Sequence, residues 1–323
     1  MMDRNIAINL VRVTEAAALG SAKYMGRGDK NIADQGAVDN MRRMFDTMDI
    51  NGVVVIGEGE LDEAPMLYIG EKIGACKPDS PEVDIAVDPL DGTNCVAKGI
   101  ENAISVIAMA PRGCLLEAPD TYMYKLAVGP KAKGSIDLNA SVKENMINIA
   151  KALNKDITDL TVTMLDRERH EDIIRDCREL GCRIKLFSDG DVAAAIATCF
   201  DHTGIDVLIG KGGAPEGVIA AAAIKCLGGE MQGKLTPMSD EELERCKSMG
   251  SEIDKVFLLE DLVKGDEVYF AATGVSDGDL LRGVRYLPHN KTMTHSVVMR
   301  SKTGTIRFIE AIHDMDRKPV YAK

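Results

Sequence analysis

Asp84-Ile85-Ala86-Val87-Asp88-Pro89-Leu90-Asp91-Gly92-Thr93-Asn94 sets two carboxylates three residues apart directly after an apolar run, then adds a glycine, a hydroxyl and an amide. A buried strand that ends this way delivers oxygen ligands into a cleft. Such ligands suit hard divalent ions, Mg²⁺ or Mn²⁺, better than zinc, which recruits His or Cys. The pattern occurs once before: Gly52-Val53-Val54-Val55-Ile56-Gly57 is a β-branched run between glycines, and Glu58-Gly59-Glu60-Leu61-Asp62-Glu63 follows at once. A solvated charge run is the plain alternative for this second stretch. The glycine at 59 and the abrupt strand exit favour ligands, because two strand ends that bear carboxylates can converge on one metal cluster.

Three later strand ends carry a different chemistry. Strands over 160–165, 183–187 and 205–209 are followed by Asp166-Arg167-Glu168-Arg169-His170, by Ser188-Asp189-Gly190-Asp191 and by Gly210-Lys211-Gly212-Gly213-Ala214-Pro215-Glu216-Gly217. Guanidinium forks match phosphate oxygens, so Arg167 and Arg169 are placed to hold a phosphate that is not being cleaved, or else they open a solvated helix. Gly212-Gly213 offers backbone N–H groups to an anion or to sugar hydroxyls at a helix N-terminus. The five histidines stand apart, with no HxxxH or HExxH spacing, and read as hydrogen-bonding or surface residues rather than metal ligands. No Gly-x-Ser-x-Gly elbow, Walker sequence or GxGxxG fingerprint appears, so serine hydrolase, P-loop and dinucleotide chemistries lack their motifs.

These residues need a scaffold of alternating elements. Apolar spacing over 5–25 predicts an amphipathic helix, and a second is expected over 37–48 after the charged glycine loop Gly26-Arg27-Gly28-Asp29-Lys30-Asn31. Asp34 sits near the start of that second helix, where capping is the bland explanation for it. A strand is expected over 103–110 and a turn plus strand over 118–130. From about 137 the texture becomes helix, strand, helix, strand, which implies parallel βαβ units with ligands at the carboxyl ends of the strands. A strand over 268–273 and a hairpin over 296–312 end the chain. The class is α/β, with an N-terminal α+β domain over 1–135 and a C-terminal α/β domain over 136–323.

Bulk properties exclude other functions. At 323 residues the chain buries roughly 75% of its unfolded surface and needs no disulfide staple. A formal net charge of -12, from 51 acidic against 39 basic residues, argues against a nucleic-acid binder, and the absence of Trp removes the best stacking platform. The eight scattered cysteines, with no CxxC pair, read as reduced, buried small hydrophobes. No signal peptide or long apolar span is expected, so the protein is placed in the cytoplasm with no membrane partner.

Asp88-Pro89-Leu90-Asp91-Gly92-Thr93 resembles the D-P-x-D-G-T signature of the metal-dependent sugar phosphatases that include inositol monophosphatases and fructose-1,6-bisphosphatases. The stretches 26–31, 56–67, 118–123 and 212–217 narrow the likeness to the class II, GlpX-type bacterial fructose-1,6-bisphosphatases, over about residues 3–318. That resemblance implies an α-β-α-β-α sandwich and hydrolysis of the 1-phosphate of fructose 1,6-bisphosphate in gluconeogenesis. Sedoheptulose 1,7-bisphosphate, or less readily an inositol monophosphate, is the alternative substrate, and a sugar-phosphate or cation sensor the non-enzyme alternative. It further implies two or more Mg²⁺ or Mn²⁺ ions per site, with Asp34 and Glu58 matching one metal position and Asp88, Asp91 and Glu216 another. Gly92 and Thr93 would meet the scissile phosphate, with Asp91 beside them. Tyr122, Arg167, Glu168, Arg169, Asp189, Gly190, Asp191 and Gly213 would line the sugar and its second phosphate. Thr93 would orient or deprotonate the attacking water, with Asp62 as the proton acceptor and Lys30 as an electrostatic helper. Dimers or tetramers are common in that family, so a homo-oligomer is expected.

Overall fold

A computed structural model describes residues 5–59 and 66–318. The chain opens with helices α1 (Ile6–Ala22) and α2 (Lys30–Phe45), then β1 (Asn51–Ile56), β2 (Lys72–Ile73), β3 (Glu82–Asp91), α3 (Thr93–Lys98) and β4 (Ile104–Pro111). It continues through β5 (Tyr122–Val128), α4 (Val142–Leu153), β6 (Thr161–Leu165), α5 (Glu171–Glu179), β7 (Arg183–Phe187), α6 (Asp191–Ala197), β8 (Val207–Gly213) and α7 (Ala214–Leu227). Then come β9 (Glu230–Leu235), α8 (Asp240–Ser248), β10 (Val256–Leu258), α9 (Leu259–Leu262), β11 (Tyr269–Gly274), β12 (Arg285–Leu287), β13 (Lys291–Arg300) and β14 (Thr305–Asp314). Among the described residues no helix is long and apolar enough to cross a membrane.

The chain divides into two compact units, but not at residue 135. One unit holds the residues up to Leu115 together with those from Gly265 onward, and the other spans Leu116–Lys264. The physical reason lies in strand pairing: β11 inserts between β4 and β13, so the C-terminal strands complete the sheet that the N-terminal strands begin.

In the first unit the sheet order is β12-β13-β11-β4-β3-β1-β2, with β14 on the far side of β13. β1 and β3 are parallel and the remaining pairs antiparallel. Leu10, Val13 and Ala17 of α1 join Met41 and Phe45 of α2 and Ile85, Ile107 and Ala271 of the sheet in one buried core. The two helices touch through glycines: a Cβ on Gly20 would lie 2.2 Å from the Gly36 carbonyl oxygen, so α2 sits closer to α1 than any larger residue permits. Asp29, and not Asp34, caps α2, its side chain accepting from the Asn31 and Ile32 N–H groups at 3.0 and 3.1 Å. The helix therefore starts seven residues before the expected 37, because a residue of the favoured capping type stands there, and Asp34 is left in its second turn.

The second unit carries a six-stranded sheet, β10-β9-β5-β8-β6-β7. Only part of it has the expected parallel βαβ character: β6 runs parallel to β7 and β8, while β5, β8, β9 and β10 pair antiparallel. The eight cysteines are all free thiols, and burial pushes Cys177 and Cys199 up to about 12. Cys76 is exposed, so it departs from the expected buried role.

Two histidines give the fold a pH dependence. His313 of β14 is buried, its Nε2 2.8 Å from Thr294 Oγ1 and 3.9 Å from Glu15. Burial, helped by the Lys318 ammonium, lowers it from 6.5 to about 4. His170 is fully buried and is lowered chiefly by desolvation. Both folded values lie below the unfolded one, so this stability is complete above pH 6.5 and is lost as pH falls towards 4. Glu15, raised by its own burial, opposes the loss in part. Thermal melts are expected to be flat between pH 8 and 7 and to fall below 6.5, with His313→Gln removing on the order of 2 kcal/mol of the acid loss.

Candidate active site

Both strands that deliver carboxylates are irregular at the point of delivery. Val54 faces Ile85 and Ile56 faces Ala86, so β1 carries one extra residue just before Glu58. Asp88 faces Val106 and Asp91 faces Ile104, so β3 carries one extra residue within the Asp88-Pro89-Leu90-Asp91 turn itself. A bulge bends a strand and re-aims its side chains, and Pro89 fits one because it has no N–H to lose from the ladder. The Leu90 N–H donates to Asp88 Oδ1 at 3.0 Å, which fixes the half-buried Asp88 carboxylate, while Asp91 is buried. Gly92 follows at φ 95°, where a Cβ would stand 3.2 Å from the Ala103 backbone, and it turns the chain into α3 with Thr93 as the first helical residue.

The exit of β1 is pinned from the other side of its loop. Glu58 N–H donates to the Leu67 carbonyl at 3.0 Å, and Ile69 N–H to the Gly59 carbonyl at 2.9 Å. Buried Glu71 accepts from the Leu67 N–H and pairs with Arg42 of α2. The expected proton acceptor Asp62 lies outside the described residues. Asp34, one turn into α2 from the exposed Lys30, is hydrogen-bonded to Glu58, so the structure brings together the carboxyl groups expected at one metal position. Burial raises Asp34, and the Glu58 contact and Lys30 only partly offset it. Two carboxyl groups this close, one of them reluctant to ionise, are a donor set that a divalent cation satisfies. Among the described residues no three His, Cys, Asp or Glu side chains are gathered to hold a metal, so the assembled part of that set is a pair.

In the second unit the strand-end residues differ in how firmly they are tied to the sheet. His170 Nδ1 lies 2.7 Å from the Leu165 carbonyl and its Nε2 accepts from the Lys211 N–H at 2.8 Å, so it is a neutral structural histidine that ties β6 to β8. Arg169 donates to the Lys211 carbonyl from Nε at 3.2 Å and Nη2 at 2.8 Å, with its guanidinium 4.9 Å from the Tyr122 ring. It thereby braces Tyr122, a role the sequence did not suggest. Arg167 is half-buried, donates to the Asp166 carbonyl at 2.9 Å and lies 4.0 Å from Asp189; Glu168 is exposed. Gly190, at φ 75°, turns the chain so that Asp191 opens α6.

A cleft of about 430 Å³ in this unit is lined by Tyr122, Gly213 and Glu216, and also by Asp120, Glu242 and Arg245. Glu242 accepts from Thr121 Oγ1 at 2.7 Å and from the Met238 N–H at 2.8 Å, which ties α8 to the start of β5 and forms one wall. Glu216 Oε2 is out of solvent and has no hydrogen-bond partner. Burial first, then Asp191, raises the Glu216 carboxyl against the pull of Lys125. An orphaned carboxylate oxygen of this kind fits a hard cation by its donor chemistry. Lys125, 2% exposed and bonded to Asp191, was missed by the sequence reading although it stands out as the one charge in Tyr-Met-Tyr-Lys-Leu-Ala-Val.

Residues 4–313 match the family model described as "Bacterial fructose-1,6-bisphosphatase, glpX-encoded". The chain is 49% identical over 330 residues to fructose-1,6-bisphosphatase 1 class 2 of Escherichia coli strain K12, covering 98% of this chain and 97% of the relative. Fructose-1,6-bisphosphatase class 2 of Escherichia coli O6:H1 and of Shigella flexneri match to the same extent. A model matched along almost the whole length and relatives this similar from end to end leave one assignment: the chain belongs to the bacterial, glpX-encoded fructose-1,6-bisphosphatase family.

Proposed function

We propose that the chain hydrolyses the 1-phosphate of fructose 1,6-bisphosphate and releases fructose 6-phosphate and inorganic phosphate. Membership of the family supports the reaction. The observation that carries the site is the contact between the Asp34 and Glu58 carboxyl groups where β1 exits. Asp34 and Glu58 would hold one divalent cation, and Asp88, Asp91 and Glu216 are the other metal ligands of this reading. When bound, Mg²⁺ or Mn²⁺ supplies positive charge against the phosphoryl oxygens and acidifies water. Phosphate monoesters resist attack because their dianion repels the nucleophile, so a site of this kind works by neutralising charge and by positioning.

The chain's own groups complete the reaction. The N–H groups at Gly92-Thr93 receive the phosphoryl oxygens, and the Thr93 hydroxyl orients the attacking water in line with the leaving sugar oxygen. Asp62 takes the proton, with Lys30 adding positive charge near Asp34. Asp189, Gly190, Asp191 and Gly213 bind the sugar hydroxyls, with Tyr122 and Glu168 beside them, and Arg167 holds the phosphate that is not cleaved.

The direct test is phosphate release from a panel of sugar bisphosphates and monophosphates with Mg²⁺ or Mn²⁺. Fructose 1,6-bisphosphate should be cleaved to the monophosphate and no further; sedoheptulose 1,7-bisphosphate in the panel measures how strictly the sugar is read. No release from any bisphosphate would sink the proposal. Arg167→Ala should raise KM for the bisphosphate by about 10-fold or more, the worth of a charge-assisted contact of roughly 1.5–3 kcal/mol, and leave KM for a monophosphate nearly unchanged. Equal effects on the two substrates would refute the role given to Arg167.

A further inference from the structure

We propose that Lys125 is a positioning residue that commits Asp191 to the sugar: its ammonium fixes one Asp191 oxygen and the Gly213 carbonyl, and leaves the other Asp191 oxygen to a substrate hydroxyl. The inference rests on the functional reading above and adds a residue and a division of labour to it. Lys125 is 2% exposed in the middle of β5. Its Nζ donates to Asp191 Oδ2 and, at 2.9 Å, to the Gly213 carbonyl.

The surrounding backbone is cut to fit this contact. Both cross-strand partners of Lys125 are glycines, Gly210 on β8 and Gly233 on β9, so no directly opposed side chain crowds it. A Cβ on Gly212 would lie 1.9 Å from Asp191 Oδ2 and 2.9 Å from Lys125 Nζ. One on Gly217 would lie 3.2 Å from Lys125 Cδ, and one on Gly213 would lie 1.8 Å from Glu216 Oε2. The glycines at the end of β8 and the start of α7 therefore make room for three side chains, Lys125, Asp191 and Glu216.

Stability alone does not account for such an arrangement. A buried lysine and its carboxylate are desolvated together, and apolar residues of the same volume would commonly serve the fold as well. The charges also do not balance, with one ammonium beside two carboxylates. Asp191 Oδ1 and Glu216 Oε2 are each buried without a partner, which a folded protein avoids unless a ligand supplies the missing contact. Lys125 makes the two carboxylates unequal. It pairs with Asp191, whose second oxygen is then suited to accept from a neutral hydroxyl, and its bonds run to Asp191 and Gly213, so Glu216 Oε2 is left for a different ligand.

The test uses Lys125→Met, Asp191→Asn and the double variant, with two readouts: steady-state kinetics on fructose 1,6-bisphosphate at saturating Mn²⁺, and calorimetric binding of fructose 6-phosphate. Lys125→Met should raise KM and the fructose 6-phosphate Kd by about 10-fold or more and change kcat by less than about 3-fold. Asp191→Asn should do the same, and the double variant should be no worse than either single one, because both act through one contact. The double variant is a neutral pair of matching size, so it folds if Lys125→Met alone does not, and it must then match Asp191→Asn. A lowered melting temperature with wild-type KM and Kd, or penalties that multiply in the double variant, would overturn the proposal. So would failure of fructose 6-phosphate to bind a wild-type protein that releases phosphate. A wild type that releases none overturns the functional reading instead.

Discussion

Asp88→Asn is expected to lower kcat/KM for fructose 1,6-bisphosphate by about 10³-fold and to leave the melting temperature within roughly 2 °C of wild type, since the substitution removes charge and little else. Asparagine keeps the Oδ1 atom that accepts the Leu90 N–H at 3.0 Å, so the turn through Pro89 retains its internal bond. The side chain is half-buried rather than packed into the core, and the volume is unchanged. What is lost is one negative charge at a bulge that aims it. A ligand to a divalent cation is worth several kcal/mol of charge stabilisation, which is why the kinetic effect should dwarf the thermal one. The measurement is kcat/KM across a Mn²⁺ titration with a thermal melt on the same preparation. Wild-type turnover at saturating Mn²⁺ would remove Asp88 from the site.

How much of this was readable beforehand depends on whether the signal was local. Carboxylates directly after a β-branched run were visible as strand ends at Glu58 and at Asp88, and β1 and β3 carry them there. The hairpin expected near 296–312 is present as β13 paired with β14. What the sequence hid was long-range pairing. Nothing in Tyr269–Gly274 says that it lies between β4 and β13, so the division into units was drawn at 135 when the chain in fact returns to its first sheet. The same holds for the arginines: Arg167 and Arg169 look equivalent in sequence, and only the Lys211 carbonyl, 42 residues from Arg169, ties that one to β8. Capping, the bland alternative for Asp34, falls to Asp29, which sits in the charged glycine loop before the helix. The bulges at Val55 and within the Asp88–Asp91 turn leave no compositional mark except Pro89.

The hidden part of the site also sets the last expected result: Gly57→Ala should cost both stability and activity although it removes no functional group. A Cβ at position 57 would lie 1.9 Å from the Leu67 carbonyl oxygen and 2.8 Å from Val54 Cγ1. That carbonyl is the one that accepts the Glu58 N–H, so relieving the clash moves the acceptor that holds Glu58 against Asp34. Leu67 has little freedom to absorb the shift, because it is itself buried at φ 56° and its N–H is held by Glu71. Forced overpacking of this kind costs about 1–3 kcal/mol, and displacement of a positioned group can cost about 10²-fold in rate. Gly113→Ala separates the two causes. That glycine has positive φ, 75°, which Gly57 does not, and a Cβ there would meet nothing within 4 Å, so the variant meets backbone strain without displacing a neighbour. It should therefore lose about 1 kcal/mol of stability and keep its kcat. Melting temperature and kcat/KM measured on both variants decide the matter: if Gly57→Ala loses stability like Gly113→Ala and retains full turnover, the Leu67 carbonyl does not hold Glu58 in its working position.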